Sequence, residues 1–435
     1  MHATCSAATG RVCTRWQGFL AHTRALATRP VTTSDTNVPE PVDFKPKRAL
    51  VLTKMTRYEF DKKKSGTNTE KAFKKYLKEK GSDYEGVLER HNIHHAKLDD
   101  IQETLRQRNI ETRLVGRMEY SEDAIDWADV VFSAGGDGTY LLAASKVKSR
   151  DKPTIGLNTD PIRSEGYLCL PTKYSGESGS HIIPALDRLL AGRFTWAFRQ
   201  RIRVTMTGKY ACDHPIELHL QELEPPRSEL EDRFSEHVKE HETYHNLAEN
   251  SKELPPRSLP VLALNEVFMG ECLSARVSYY EISQDDSHSL KQKSSGVTVC
   301  TGTGSSSWVF NINHISTQTV KEILKISGSL SNMNIPCEDQ LASRVAAQFN
   351  NSLIFDPNDL RMAYVIRDPI VNGVFHVPVP RGFAKKVTVR SRMWDGCLAI
   401  DGGVTFSFND GAIASMEMFE EDALRTVSLM KDTRN

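Results

Sequence analysis

Short apolar runs, each closed by a polar or glycine-rich turn, alternate with helical patterns through the first part of the chain. Ala49-Leu50-Val51-Leu52 is continuously apolar, as in a strand buried on both faces. Residues 69–80 predict a helix, with Phe73 and Leu77 four apart, and further helices are expected over 84–88 and 98–108. Residues 110–115 read as the next strand, and Ser121 as an N-cap with Glu122 and Asp123 in the first turn. Val130-Val131-Phe132 and Thr154-Ile155-Gly156-Leu157 read as strands around a helix that includes Tyr140-Leu141-Leu142-Ala143-Ala144. Strand and helix alternate, so 46–193 is expected to be a doubly wound α/β domain with its ligand at the carboxyl ends of the strands.

From Phe194 the period changes from 3.6 to two. Phe194-Thr195-Trp196-Ala197-Phe198 alternates, as do Ile202, Val204 and Met206 with Arg203 and Thr205. Residues 277–282, 386–390 and 397–400 are further strands, with helices near 320–326 and 338–348. A β-rich domain is therefore expected over 194–411. It carries a charged insert, 221–257, bracketed by Pro225-Pro226 and Pro255-Pro256. Residues 420–430 predict a helix, with Glu420, Glu421 and Asp422 at its N-terminal end. The tail 412–435 is thus expected as a C-terminal helical segment.

Composition narrows the class. The chain has 435 residues, 39% hydrophobic and 26% charged, with equal numbers of acidic and basic groups. Nothing in that balance points to nucleic acid, and no apolar run approaches the roughly 18 residues that cross a bilayer. The eight cysteines form no Cys-x-x-Cys pair, which fits a reducing compartment and packing roles. Residues 1–34 lack Asp and Glu but contain Arg11, Arg15, Arg24 and Arg29 among Ser, Thr and Ala. That is the composition of an organelle transit peptide, so 1–45 is read as a leader directing the chain to the mitochondrial matrix.

Several stretches carry candidate chemistry. Ala134-Gly135-Gly136-Asp137-Gly138-Thr139 joins a strand to a helix. Its glycines let a ligand approach the backbone, and the helix start favours phosphate. Asp137 is the oddity: a carboxylate there repels phosphate unless it has another task, such as taking a proton, or serves as a simple helix cap. The turn lacks the Gly-Lys-Ser/Thr ending of a Walker A loop and is not Gly-x-Gly-x-x-Gly. Residues 156–170 form a polar loop after a strand, in which Arg163 either reaches phosphate or pairs with Glu165. Asn265 and Glu266 are polar positions inside an apolar strand and need a network or a ligand. Val299-Cys300-Thr301-Gly302-Thr303-Gly304-Ser305-Ser306 is another strand running into a loop of small donors. His91, His94 and His95 lie close together, but no carboxylate or cysteine near them in sequence completes a metal site, so a solvated surface is expected. His237, His241 and His245 in the insert read the same way, and no metal ligands are assigned.

Taken in order, Gly-Gly-Asp-Gly-Thr, Gly-x-Asn, the Asn-Glu pair, Thr-Gly-Thr-Gly-Ser and Ile400-Asp401-Gly402-Gly403 resemble the NAD kinase family, across roughly 48–425. The loops at 158–166 and 301–305 are similar to its mitochondrial branch. Asp160, where glycine is usual, and the added Arg163-Ser164-Glu165 depart from the general pattern. The resemblance implies a Rossmann-like α/β domain, a β-sandwich-like domain, and a tail packing back on the first. It implies phosphoryl transfer from ATP, with Mg²⁺, to the 2′-hydroxyl of the adenosine ribose of NAD, giving NADP. It places Asp137 as general base and Gly135, Gly136, Gly138, Thr139 and Arg163 at ATP phosphates. Asn158, Asn265, Glu266, Thr303, Gly304, Ser305, Ser306 and Asp401 fall at NAD. A homo-oligomer, a dimer by preference, is usual in the family. A lipid kinase sharing Gly-Gly-Asp-Gly-Thr, or a non-catalytic dinucleotide sensor, are the alternatives.

Overall fold

The computed structural model describes residues 41–171, 182–208, 215–218, 255–331, 336–373, 375 and 379–430. Most of the leader and of the charged insert, including His237, His241 and His245, lies outside the described residues.

Four strands form a parallel sheet in the order β2-β1-β3-β4: β1 Arg48–Thr53, β2 Glu111–Val115, β3 Val130–Ala134 and β4 Thr154–Leu157. Strands β3 and β4 are buried at every position, as their unbroken apolar runs require. Three helices come between β1 and β2, and the apolar pattern divides this stretch differently. α1, Arg57–Ser65, is started by a capping box: Thr56 accepts from Glu59 N, and the Glu59 side chain accepts from Thr56 N. Its signature, Thr-x-x-Glu, was readable but had no apolar stripe to draw attention to it. α2, Glu70–Glu79, is capped by Thr69 and buries Phe73 and Leu77 as expected. The two helices expected over 84–88 and 98–108 are one, α3, Tyr84–Gln107. The polar stretch between them continues the helix, and its buried His94 is held between the Thr53 and Thr159 hydroxyls. α4, Glu122–Trp127, starts at Ser121, whose side chain accepts from Ala124 N at 3.3 Å. α5, Asp137–Lys146, follows β3 directly, and α6, Ile182–Leu190, covers the other face.

The β-rich part is two antiparallel sheets around one apolar core. A six-stranded sheet contains the strands Ile202–Thr207, Ser278–Gln284, Lys386–Ser391 and Ile413–Met418. A seven-stranded sheet contains Glu266–Glu271, Val297–Cys300, Met362–Ile366 and Gly396–Ile400. Val204, Met206, Tyr280, Val389 and Met416 of the first meet Val267, Met269, Val299, Tyr364 and Leu398 of the second. This is the packing of a β-sandwich.

Three boundaries differ from the sequence reading. The segment 420–430 is not a helix. Glu420–Asp422 makes one tight turn, and β6, Leu424–Leu429, is a strand paired antiparallel with β5, Phe194–Arg199. Leu424, Thr426 and Leu429 are buried while Ser428 is exposed, so the burial period is near two, and β-branched Thr426 and Val427 suit it. The acidic cluster that suggested a helix start is used in a tertiary contact, with Arg203 donating to both Asp422 oxygens at 2.7 Å. The β5–β6 pair adds Phe194, Trp196, Val427 and Leu429 to the first core, so Phe194 does not open the β-rich domain. Finally, Val42 N donates to Gly192 O at 2.9 Å and Phe44 packs edge-on against Phe194 and Trp196, so the folded chain starts before residue 46.

Candidate functional site

The glycine turn ends β3 and opens α5, with Gly136 as N-cap and Asp137 as the first helical residue. Glycine is needed at two positions for space. A Cβ on Gly135 would collide with the Thr139 side chain, and one on Gly136 would meet Ser164 of the neighbouring loop. Gly138 has open space around it and is exposed. Asp137 does not cap its own helix. Its Oδ1 accepts from Leu168 N at 2.9 Å and its Oδ2 from Tyr167 N at 3.2 Å. Two backbone donors from the 158–170 loop therefore fix the direction of this partly exposed carboxylate.

That loop is organised by Asn158, which is buried. Its Nδ2 donates to Ser164 O at 2.8 Å and its Oδ1 accepts from Asp160 N at 3.0 Å. The Asn158 amide therefore positions the loop around Asp137. Asp160 pairs with Arg90 at 3.3 Å. Arg163 is exposed and makes no ion pair with Glu165 among the described residues. The site also holds a cation that the sequence reading passed over. Lys54, just past the end of β1, hydrogen-bonds through its N–H to Ala134 O at 3.3 Å. Burial lowers its ammonium pKa, against the opposing pull of Asp160. A lysine at the carboxyl end of a buried parallel strand is the signal that could have found it.

The second half of the site sits where the β-rich part meets α5. Leu264 packs in the same cluster as Tyr140, Ala143 and Ala144 of α5. Leu262 N donates to Ser145 O at 3.4 Å. Arg201, fully buried, donates to Ala144 O and Val147 O at 2.7 and 2.5 Å and to Asp422 O at 2.6 Å. It thus satisfies the C-terminal carbonyls of the helix whose first residue is Asp137, and its cation suits that end of the dipole.

Beginning at Leu264, three consecutive N–H groups converge on Asp401. Leu264 N and Asn265 N donate at 2.8 Å and Glu266 N at 3.0 Å. Asp401 returns its own N–H to Glu266 O at 3.0 Å from a left-handed backbone, φ 48°. Its carboxylate is a brace for the strand entry. Thr301 adds a second brace: its Oγ1 donates to Leu264 O at 2.5 Å and accepts from Gly304 N at 3.1 Å. Gly304 passes so close to Asn265 that a Cβ there would strike the Asn265 backbone. Thr303 and Ser305 are buried, bonded to Arg199 Nη1 at 3.3 Å and to Gly302 O at 2.6 Å, whereas Ser306 is exposed.

These braces leave two groups open. Asn265 Oδ1 and Glu266 Oε2 are buried and have no hydrogen-bond partner. Burial, then the charge of Asp401, raises the Glu266 pKa to about 8. Burial also raises Asp401, to about 6, but its three N–H donors oppose the rise. Of the two, Asp401 is the ionised acid near neutrality and Glu266 keeps its proton. Buried polar atoms without partners mark a place for a polar ligand.

The sequence has relatives that fit this arrangement. It is 47% identical over 389 residues to human "NAD kinase 2, mitochondrial", covering 89% of this chain and 85% of that protein. The rat protein of the same name is 47% identical over 389 residues, covering 89% of this chain and 88% of its own. The Xenopus tropicalis protein is 44% identical over 407 residues, covering 89% and 91%. The chain belongs to the NAD kinase family. No protein-family model matches it. The candidate residues come from both parts of the molecule: Gly135–Thr139 and the 158–170 loop from one, Asn265, Glu266 and 301–306 from the other.

Proposed function

We propose that the chain transfers the γ-phosphoryl group of ATP to the 2′-hydroxyl of the adenosine ribose of NAD, with Asp137 as the general base. The observation that carries this is an oriented carboxylate in a phosphate-suited turn together with two buried, unpartnered polar atoms directly after Leu264, which packs with the same helix. The glycine turn and the α5 start, Gly135 to Thr139, take phosphate oxygens, and Lys54 and Arg163 supply positive charge. Protonated Glu266 donates, and Asn265 Oδ1 accepts, toward ribose hydroxyls or adenine of NAD. Asp137 takes the proton of the attacking hydroxyl; the hydroxyl oxygen bonds to the γ-phosphorus as the β,γ-bridging bond breaks, and ADP leaves. Asn158, Thr303, Ser305 and Asp401 hold these groups in place through the contacts described above.

Mg²⁺ is usually held by one or two carboxylates plus substrate phosphates and water. Each Asp137 oxygen takes a single N–H, so lone pairs remain on a partly exposed carboxylate, and the site fits a metal that arrives with ATP. Such an ion supplies charge neutralisation at the phosphates.

The relatives are named mitochondrial, and we place this chain in the mitochondrion, with residues 1–40 as its import signal. A reporter carrying 1–40 that stays in the cytosol would overturn that role. A homodimer is the assembly we expect, read by light scattering of the purified chain. The activity itself is tested with chain lacking the leader, ATP, Mg²⁺ and NAD: NADP must form. Binding of NAD without NADP formation would make the protein a sensor.

A further inference from the structure

On α3, His94 points inward, where its Nδ1 lies 2.9 Å from Thr159 Oγ1 and its Nε2 2.9 Å from Thr53 Oγ1. His91 and His95, four residues apart, share another face of the same helix. Their ring centroids are 4.3 Å apart. Glu59 of α1 meets them there, with Oε1 3.2 Å from His95 Nε2. One ligand atom from each of Glu59, His91 and His95 lies within 4.8 Å of the other two. The sequence reading found no carboxylate for these histidines because the one that serves is 32 positions before His91, on a helix that it did not predict.

Other contacts orient two of these side chains and leave ligand atoms free. Thr56 Oγ1 is 2.9 Å from His91 Nδ1, which leaves Nε2 of that ring. Thr56 N donates to Glu59 Oε2 at 2.7 Å, which leaves Oε1. A hydrogen-bonded partner behind each ligand is the usual support of a metal site. The side chains are reachable, with His95 45% and Glu59 37% exposed.

We propose that Glu59, His91 and His95 bind one divalent transition-metal ion of the Zn²⁺ class, tying α1 to α3. Two imidazoles and one carboxylate suit Zn²⁺, whereas Mg²⁺ and Ca²⁺ prefer oxygen alone. Ligands at about 2.0–2.2 Å from a tetrahedral ion stand roughly 3.3–3.6 Å apart, so a small rotation of half-exposed side chains closes the set. The fourth position faces solvent and takes water. The site is separate from Asp137, but α3 reaches the 158–170 loop through His94–Thr159 and Arg90–Asp160. It depends on no part of the phosphoryl-transfer reading.

The test is a Zn²⁺ titration of the purified, nucleotide-free full chain against a chromogenic chelator. The wild-type chain is expected to bind one equivalent more than the His91→Gln/His95→Gln variant, whatever the insert histidines bind in both. Zn²⁺ is expected to raise the melting temperature of the wild-type chain and not of the variant. His95→Gln alone, at a half-exposed position that the fold tolerates, is expected to weaken that equivalent by about 100-fold or more, since it removes a ligand rather than an outer support. Co²⁺ in place of Zn²⁺ is expected to show the visible absorption of a four- or five-coordinate ion in the wild-type chain only. Equal stoichiometry and affinity in wild type and variants, or no tight binding to either, would reduce the cluster to an ion pair of His95 with Glu59 and overturn the proposal.

Discussion

The glycine turn and the Asn265-Glu266 strand entry each bring one acid to the site, and the protein treats the two acids in opposite ways. Asp137 is partly exposed, and each of its oxygens accepts a backbone N–H from the adjoining loop. Glu266, two residues after the Leu264 that packs with α5, has one oxygen buried and unpartnered, and its pKa is raised to about 8. The first acid is an acceptor already aimed. The second is a donor in waiting, held neutral by burial and by ionised Asp401 behind it. The difference teaches that hydrogen-bond accounting separates roles that sequence motifs do not. An acid whose acceptors meet backbone donors acts from a fixed position, and one with an orphan atom is there for something that binds.

The strongest way to break this contrast is at Asp137. Asp137→Asn keeps one acceptor for the 167–168 N–H groups but cannot take a proton. The kcat for NADP formation is expected to fall by about 10²–10⁴-fold, with a melting temperature close to wild type. Turnover within a few-fold of wild type would assign the base elsewhere. Next in size is Asp401→Ala, which strips the acceptor from three consecutive N–H groups. At about 1–3 kcal/mol for each buried group left unpaired, the loss should reach about 3–5 kcal/mol in urea unfolding. An unfolding free energy within about 1 kcal/mol of wild type would mean that the strand entry holds itself.

Much of this was legible in the sequence, and the reasons are local. The strand–turn–helix around Gly135 announced itself because an unbroken apolar run, close glycines and good helix formers all agree. Asn265 and Glu266 stood out as polar positions in an apolar strand. What escaped were contacts between segments far apart in sequence. Asp401 looks like a ligand residue in the sequence, and only its three distant N–H partners reveal a brace. Arg201 reads as one basic residue before a strand, yet it is fully buried against the end of α5. The 424–429 strand was hidden because acidic residues at 420–422 imitate a helix start, while the pairing that makes it a strand lies more than 220 positions earlier.

The third prediction sharpens the role of Glu266. Glu266→Ala removes the donor and should raise the KM for NAD by about 10-fold or more, with a smaller change in the KM for ATP. Glu266→Gln retains a donor in neutral form and should keep the KM for NAD within about 3-fold. The same variant has a pH signature. The Glu266 pKa in the folded chain, about 8, lies above its ordinary value of 4.5. Between these values the folded state binds the extra proton, so its contribution is full below about pH 4.5 and is lost as pH rises through about 8. Wild type should therefore lose stability relative to Glu266→Gln between pH 5 and 8, by at most about 1.4 kcal/mol per pH unit. Parallel pH profiles in urea unfolding would show that the carboxyl is not desolvated, and the contrast with Asp137 would fail.

The smallest effect is expected at Arg163, and it tests the other side of the comparison. Its guanidinium is exposed and bound to nothing described, so Arg163→Ala should leave stability within about 0.5 kcal/mol of wild type. If it reaches ATP phosphate it does so as a screened, solvent-facing charge, worth about 1 kcal/mol or less, and the KM for ATP should rise only about 2–5-fold. Lys54 is partly desolvated and rooted beside the glycine turn, so Lys54→Met should raise the same constant more. A reversal of that order would mean that the 158–166 loop closes over the phosphates and buries Arg163. The aimed half of the site would then owe part of its geometry to the bound nucleotide rather than to the Tyr167 and Leu168 N–H groups alone.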